Sequence, residues 1–390
     1  MRIRAWWILG GLVALLAVTL LISQRGFLIG KITQSNENEA SETQQTTELR
    51  TCEAPYSSYI GPLVPNQTAA VQNNNLSELD PSELIPKSGW SSRAGFSISN
   101  TTDPVHWAQS LGSGWYIDWS IRSNPASDGL EHWSMVRVQE DCISPSAERI
   151  QSAADNFPGQ VWIIGNEPDV IWQDNSSAAS YASTYHELYR MIKYADPTAS
   201  VAVGGVSQGT PLRLEYLDQV LQAFQSLYHE PMPVDWWTVH GYVLREEKGS
   251  WGVGIPPGIK ATQGELREVR DHGRMDLFES QIRAFRQWMA GRGYQNTPLA
   301  LTEFGILMPA SYGFPSEMVG DYLVQTFTWL EQTKDETIGN PDDGYRLVQK
   351  WAWFSISDPT YSTSDLGDLP SGKLTVVGEK FREFVSTLEP

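Results

Sequence analysis

Two glutamates in this sequence follow short apolar segments and could act as a catalytic pair. Glu167 lies in the segment IGNEPD, and Glu303 lies in the segment LTEFG. If the two face each other across a site, one carboxyl can protonate a leaving oxygen while the other attacks the same carbon. This is the chemistry of glycoside hydrolysis, and a retaining mechanism requires the two carboxyls to lie ~5–5.5 Å apart. At that spacing one carboxyl is expected to have a raised pKa and to serve as the acid near neutral pH.

The elements that must position this pair form a repeating pattern from about residue 94. Short apolar, β-rich segments alternate with longer segments of helical period, which is typical of βα units and a parallel sheet. Glu167 follows the fourth and Glu303 the seventh of eight predicted strands. We therefore expect a (β/α)8 TIM barrel over residues 94–390, with its site at the C-terminal ends of the strands. The strands are predicted at 96–99, 115–119, 135–138, 161–165, 201–205, 236–240, 299–302 and 351–354.

An open, doubly wound sheet is the alternative arrangement of such units. It calls for a glycine-rich phosphate turn after the first strand, and residues 98–102 (ISNTT) do not supply one. Asp103 followed by Pro104 predicts a capped helix start. Between the second and third strands, Pro125 and Gly129 favour an irregular connection instead of a helix. Apolar stripes of helical period lie at 181–192, 214–224, 278–289 and 381–388.

The two glutamate motifs resemble those of clan A of the glycoside hydrolases, the retaining (β/α)8 enzymes. IGNEPD and LTEFG look most similar to the glycosyl hydrolase catalytic core family of endo-β-1,3-glucanases, over roughly residues 94–389. The resemblance implies cleavage of β-linked glycans by double displacement, with β-1,3-glucan as one candidate substrate. It implies that Glu167 is the general acid/base, that Glu303 is the nucleophile, and that Asn166 hydrogen-bonds the sugar 2-hydroxyl.

The same resemblance implies supporting roles after the sixth and eighth strands. His240-Gly241-Tyr242 is similar to the clan's His-x-Tyr, in which the tyrosine supports the nucleophile, so His240 and Tyr242 are predicted to belong to the substrate site. Trp353 matches an indole at the floor of the subsite that holds the attacked sugar. Trp351 is the other candidate for that floor.

Two further tryptophans are candidates for substrate binding. Trp119 ends the second predicted strand, and Trp251 lies in a long connection, about residues 243–275, after the sixth. In a barrel this connection emerges at the catalytic face, where Trp251 could stack on a glycan. A mobile loop without substrate contact is the alternative interpretation.

Other catalytic motifs have less support. Residues 205–209 (GVSQG) fit the nucleophile elbow of esterases with Ser207 as nucleophile, but residues 209–211 (GTP) delay the helix that an elbow requires. The six histidines form no H-E-x-x-H group and no dinucleotide motif is present, so we expect neither a metal nor a cofactor. A non-catalytic glycan-binding protein is the other alternative, and the presence of both glutamates argues against it. Asp169 is interpreted as a cap for the following helix.

The composition narrows the class of partner. The 28 Lys and Arg residues and 46 Asp and Glu residues give a formal charge of −18, which disfavours nucleic-acid binding. An acidic surface combined with 16 Trp, 15 Tyr and 12 Phe suits neutral, polyhydroxylated ligands better than anionic ones. We therefore expect an oligo- or polysaccharide substrate and a monomeric protein.

The N-terminal region predicts a membrane anchor and a stalk. Residues 5–22 are 18 residues without a charge, about 27 Å as a helix and close to the ~30 Å of a bilayer core. We expect an anchor within 1–31 that contacts the lipid bilayer, a disordered polar stalk over 32–50, and an extension over 51–93 that packs on the barrel. The catalytic domain would then lie outside the cytoplasm. A cleaved signal peptide and secretion are the alternative.

The sequence contains two cysteines, Cys52 and Cys142. Outside the cytoplasm such a pair can oxidise, and the sequence leaves open whether they form a disulfide or remain two buried thiols.

Overall fold

A computed structural model describes residues 49–52, 90–122 and 129–388. Eight strands lie at the centre of this part, one for each predicted strand. Most of their residues are buried on both faces, as expected for parallel strands that helices cover. The strands are β1 (Ala94–Ser97), β2 (Trp115–Ile117), β3 (Glu131–Gln139), β4 (Val161–Ile164), β5 (Ser200–Val203), β6 (Trp237–His240), β7 (Leu299–Phe304) and β8 (Lys350–Trp353).

The eight strands pair in chain order, and all their pairings are parallel. Hydrogen-bonded ladders join β1 through β5 in succession, then β6 to β7, β7 to β8, and β8 back to β1. Between β5 and β6, parallel bridges join Ala202 to Trp236 and Val206 to Val239. The TIM-like α/β fold predicted from the sequence is confirmed, and the pairing of β8 with β1 excludes an open, doubly wound sheet. The C-terminal ends of all eight strands share one face.

Helices follow seven of the eight strands in the described part of the chain. The first begins as predicted, because the Asp103 carboxylate accepts a hydrogen bond from the Val105 N–H (3.0 Å) and Pro104 occupies the first turn. The connection between β2 and β3 that was predicted to be irregular lies largely outside the described residues, at 123–128. The helices are α1 (Pro104–Leu111), α2 (Ala147–Asn156), α3 (Ala178–Ala195), α4 (Pro211–Tyr228), α5 (Met275–Gly291), α6 (Ser316–Gln332) and α7 (Val376–Val385).

The interior of the barrel is filled by large and small side chains in alternation. The indoles of Trp115 and Trp133 lie 5.0 Å apart, and Ala300 and Ala352 belong to the same buried cluster. A Cβ on Gly95 would lie 2.3 Å from the Trp115 indole, so only glycine leaves room for that ring. A second, larger apolar cluster lies between the strands and the helices. The inner packing therefore closes the barrel beneath its mouth.

A disulfide links Cys52 to Cys142, which decides between the two states that the sequence left open. The short strand Arg50–Thr51 pairs in parallel with Cys142–Ser144, which folds back in antiparallel register onto β3. The cross-link joins residues 90 positions apart. In the chain-entropy account, a loop of that size strongly restricts the unfolded chain.

The predicted anchor and all but the last two residues of the predicted stalk lie outside the described residues, as do residues 53–89 of the extension. No helix within the described ranges is long and apolar enough to cross a bilayer. Of the described extension, Arg93 donates hydrogen bonds to Glu331 (2.9 Å), which lies within α6, and to Asp343 (3.0 Å), which lies between α6 and β8. The anchor and the stalk stay predictions.

Candidate active site

Glu167 and Glu303 lie together at the mouth of the barrel. Glu167 follows β4, and Glu303 lies one residue before the end of β7. One carboxylate oxygen of each glutamate lies within 4.8 Å of the other. The residues are only 8% and 6% exposed. The structure thus brings the two carboxyls to a short spacing, close to the ~5–5.5 Å of retaining glycosidases and below the ~6.5–9.5 Å of inverting ones.

The backbone at Glu167 adopts a left-handed conformation, with φ +45°. Residues other than glycine seldom do so, at a cost of roughly 1–2 kcal/mol. The Glu167 N–H donates to the Gly205 carbonyl at 3.0 Å, which joins the turn after β4 to the end of β5. A Cβ on Gly205 would lie 2.8 Å from the His240 ring, so this approach requires glycine. The turn, fixed by this hydrogen bond, holds the Glu167 side chain over the mouth in spite of the strain.

His240 lies beneath the two carboxylates. Its Nδ1 donates to Glu167 Oε1 at 2.9 Å and lies 3.7 Å from Glu303 Oε2. The residue is 1% exposed and does not line the cleft above the site. Burial lowers the pKa of His240, but the charges of Glu303 and Glu167 outweigh burial and leave it raised. The structure thus places the His240 ring behind the carboxylates instead of on the cleft surface, and its part in substrate binding stays a prediction.

Two neutral donors contact the other carboxylate. The Tyr242 hydroxyl donates to Glu303 Oε2 at 3.1 Å, the contact that the resemblance implied. The Trp119 indole N–H donates to Glu303 Oε1 at 2.5 Å, and its ring meets Phe354 edge-on with 5.7 Å between centroids. Trp119 also has a left-handed backbone, with φ +54°. Trp119 and Tyr242 both line the cleft, so they can also contact a ligand.

The electrostatic environment of Glu167 favours its protonated form. Burial raises the pKa of Glu167, its bond with His240 lowers it, and the charges of Glu303 and Asp169 raise it; the net shift is upward. A carboxyl with a raised pKa keeps its proton closer to neutral pH, as a general acid must.

Glu167, His240 and Glu303 are also the group in the described ranges whose ligand atoms lie close enough to share a metal ion. Several of their atoms are already engaged in hydrogen bonds. His240 Nδ1 bonds Glu167, and both Glu303 oxygens accept bonds from Tyr242 and Trp119. The two carboxylates therefore differ in their partners, since two neutral donors bond Glu303 and a histidine bonds Glu167.

A cleft of about 1290 Å³ lies over the pair. Trp251 lines it, as predicted, and so does Asn166. Asn166 is 3% exposed, its amide N–H₂ lies 3.5 Å from Gln173 Oε1, and its Oδ1 has no hydrogen-bond partner in the described part of the chain. A buried acceptor without a partner beside Glu167 could receive a hydroxyl hydrogen bond from a sugar.

The loop that carries Trp251 is held from behind by a buried arginine. Arg213, on α4, donates to Glu246 Oε1 at 2.9 Å and to the carbonyls of Val253 and Gly254, both at 3.0 Å. Its guanidinium is fully buried. This network favours a fixed cleft wall over the mobile loop that the sequence left as an alternative.

The structure rules out the two other roles considered for this region. Ser207 is fully buried and donates to Asp169 Oδ2 at 2.7 Å, and α4 begins only at Pro211. The esterase alternative is therefore wrong, since an elbow serine must be exposed at the start of a helix. Asp169 does not cap α3, which Ser177 caps; it accepts bonds from Ser207 and from Arg213 (3.1 Å).

Neither tryptophan of β8 reaches the cleft. Trp351 and Trp353 are both 0% exposed and pack in the outer core, where the Trp353 N–H donates to the Ser364 carbonyl at 2.9 Å. Side chains alternate along a strand, so these two share the face toward the helices, while Ala352 points into the barrel. The prediction of Trp353 as a subsite floor is wrong for this reason. Phe354, the next residue, lines the cleft instead.

Sequence reasoning also missed several cleft residues in the loops after the strands. Trp172 and Tyr312 are 37% and 60% exposed, and both line the cleft. Their signal in the sequence was present, because each aromatic residue lies within ten residues after a predicted strand end. Four more cleft residues that the sequence did not predict lie at and after the end of β8: Phe354, Ser355, Asp358 and Tyr361.

The fold is similar to those of solved glucanases. A GH128 (subgroup II) endo-beta-1,3-glucanase from Pseudomonas viridiflava matches with a TM-score of 0.52 and 17% identity, over 74% of this chain and 96% of that one. A GH128 (subgroup I) endo-beta-1,3-glucanase from Amycolatopsis mediterranei, in complex with laminaritriose, matches with a TM-score of 0.51 and 16% identity, over 75% and 100%. A third, of subgroup II from Sorangium cellulosum, matches with a TM-score of 0.50 and 18% identity, over 74% and 97%.

The chain shares the fold of these enzymes. By their names they hydrolyse glycosidic bonds, the reaction class predicted from the sequence. No protein-family model matches the sequence. No curated protein matches it either.

Proposed function

We propose that the protein is a retaining glycoside hydrolase of clan A that cleaves β-1,3-glucan by double displacement. Glu303 is the nucleophile and Glu167 the general acid/base. The observation that carries the proposal is a pair of buried carboxyls within 4.8 Å whose hydrogen-bond partners differ. Two neutral donors aim Glu303, whereas Glu167 bonds His240.

In the first step, a Glu303 oxygen attacks the anomeric carbon while the glycosidic bond breaks. Glu167 gives its proton to the departing oxygen, so the products are a free hydroxyl and a glycosyl ester on Glu303. The ester carries no charge, which removes one of the influences that raise the pKa of Glu167. Glu167 therefore stays deprotonated after giving up its proton, and it takes a proton from water as the water oxygen attacks the same carbon. That attack releases Glu303 as a carboxylate and the sugar with its original configuration.

The choice of β-1,3-glucan rests on two supports. The structures of similar fold are endo-beta-1,3-glucanases by name, and one of them is in complex with laminaritriose. The cleft itself is larger than the ~300–1,000 Å³ of ordinary small-molecule pockets and carries several aromatic side chains, which suits several sugar rings. Endo action on an oligo- or polysaccharide is therefore our proposal for this site.

The direct test incubates the protein with β-1,3-, β-1,4- and mixed-linkage glucans, xylan and mannan. We expect cleavage of β-1,3-glucan, with the β-anomer appearing first in proton NMR spectra recorded before mutarotation. Initial release of the α-anomer would contradict retention. Measurable glycan affinity without any hydrolysis would favour a non-catalytic glycan-binding protein.

We also propose that residues 1–31 anchor the protein in a membrane, with the catalytic domain outside the cytoplasm as a monomer. The Cys52–Cys142 disulfide supports an oxidising compartment. Sequencing the N-terminus of the native protein tests the anchor. A terminus cut just after the apolar segment would indicate secretion instead.

A further inference from the structure

The loop after β8 places three polar side chains on the cleft wall. Ser355, Asp358 and Tyr361 all line the same cleft as Glu167 and Glu303. Burial raises the pKa of Tyr242 and of Tyr361, and the charges of Glu167 and Asp358 raise both pKa values further. The loop therefore lies beside the carboxylate pair, and none of its three polar groups has a part in the two steps above.

Asp358 is held in one orientation with one oxygen unused. Its Oδ1 accepts the Thr360 N–H at 2.8 Å and the Tyr361 N–H at 2.9 Å. Its own N–H donates to Asp365 Oδ1 at 2.8 Å, so the backbone is fixed from behind as well. Within the described ranges, no residue hydrogen-bonds Asp358 Oδ2. A carboxylate fixed by its backbone presents that oxygen without a further loss of rotamer freedom.

Ser355 supplies a second and independent indication of a ligand. The residue is 3% exposed, it lines the cleft, and its hydroxyl has no hydrogen-bond partner in the described part of the chain. Buried hydroxyls are nearly always satisfied, by protein, water or a ligand. Tyr361 completes the set with an aromatic ring on the cleft, on which a sugar ring can stack.

We propose that Ser355, Asp358 and Tyr361 form a sugar subsite beside the carboxylate pair, in which Asp358 Oδ2 accepts a hydroxyl hydrogen bond and disfavours anionic sugars. The inference rests on the proposed function and assigns to three residues the selection of neutral over anionic glycans. A hydroxyl can donate to Asp358, whereas a carboxylate substituent at the same place would face a like charge and has no proton to donate.

The test compares the full-length wild type with Asp358→Asn on neutral β-1,3-gluco-oligosaccharides and on carboxymethylated β-1,3-glucan. Asparagine keeps Oδ1 as an acceptor for the two backbone N–H groups but replaces the free acceptor by a donor. We expect KM for the neutral substrate to rise about tenfold with kcat little changed. On the carboxymethylated glucan, kcat/KM should stay equal or rise. Ser355→Ala should raise the neutral KM roughly threefold.

Asp368→Asn is the matched control, because Asp368 is exposed and does not line the cleft. Unchanged KM and unchanged discrimination in Asp358→Asn, with an active wild type, would overturn the subsite and leave the proposed function standing. If the wild type cleaves no glucan, the proposed function fails. The subsite is then tested by measuring binding of the same oligosaccharides by isothermal titration calorimetry. Weaker binding by Asp358→Asn than by wild type then supports the subsite, and equal binding or none overturns it.

Discussion

The interior of the barrel and its mouth are built from the same eight strands but differ in almost every physical property. The interior is apolar, with the rings of Trp115 and Trp133 packed among alanines. The mouth buries two carboxylates beside a histidine, and Glu167 has a strained backbone. Several buried polar atoms there also lack a hydrogen-bond partner among the residues that the structure describes. The interior is arranged for stability, whereas the mouth retains unfavourable features that a substrate and its transition state would offset.

The largest expected effect comes from removing the proposed nucleophile. Glu303→Gln keeps size and polarity but cannot form the glycosyl ester, so we expect kcat on β-1,3-glucan to fall by about 10³-fold or more. The same variant should be at least as stable as wild type in chemical denaturation, because a neutral amide costs less to bury than a carboxylate. Glu131→Gln, at the opposite end of the barrel, is the control and should keep full activity. A Glu303→Gln variant that still turns over would remove the assignment.

A smaller effect is expected from Tyr242→Phe. The change deletes the hydroxyl that donates to Glu303 Oε2 and keeps the ring, so we expect kcat to fall by about tenfold or more with little change in KM. Tyr322→Phe alters a buried tyrosine of the outer core in the same way. It should leave kcat within about twofold. Equal losses in the two variants would show that Tyr242 acts through packing alone.

The disulfide should affect stability and leave catalysis unchanged. Cys52→Ser removes the cross-link between residues 90 positions apart, and we expect the free energy of unfolding to fall by about 2–4 kcal/mol. Because neither cysteine lines the cleft, kcat and KM at 25 °C should equal those of wild type. A change in kcat without a change in the free energy of unfolding would contradict this prediction, because it would show that the disulfide supports the mouth and not the stability of the fold.

The smallest effect at neutral pH concerns His272, which joins two walls of the mouth. Its Nδ1–H donates to the Val243 carbonyl (2.9 Å), and its Nε2 accepts the Leu307 N–H (2.8 Å), so the ring must be neutral. Burial lowers the pKa of His272 to about 4. The unfolded chain therefore binds this proton below about pH 6.5 while the folded chain does not until about pH 4.

Stability should accordingly fall as the pH drops through that window, by on the order of 3 kcal/mol, and the loss should level off below pH 4. At pH 7 the ring is mostly neutral in both the folded and the unfolded chain, so this loss of stability is nearly absent. His272→Gln keeps one donor and one acceptor but does not titrate. Chemical denaturation of both proteins at pH 7, 5.5 and 4 measures the difference, and parallel pH dependences would show that another group is responsible.

The predictable part of this molecule is the part that local patterns encode. Each strand is a short apolar segment, and Glu167 and Glu303 follow or end two of them, so chain order alone places both at the mouth. The face of a strand residue is harder to predict when both faces are buried. Trp351 and Trp353 fit the interior as well as the outer core by composition, and only the register of β8 assigns them outward.

The remaining site features depend on contacts between distant segments. The positive φ of Glu167 is maintained through a bond to Gly205. His240, at the end of β6, contacts Glu167 after β4 and Glu303 in β7. Such arrangements are fixed by tertiary structure, and no local pattern of residue types predicts them.

The left-handed backbone at Glu167 has an evolutionary consequence. Glycine populates that region without steric penalty, so Glu167→Gly would relieve strain and remove a buried acid at one step. The same change leaves the buried Nδ1 of His240 without its carboxylate partner, which destabilises the fold in turn. Selection for turnover would therefore maintain the strained glutamate against glycine at this position.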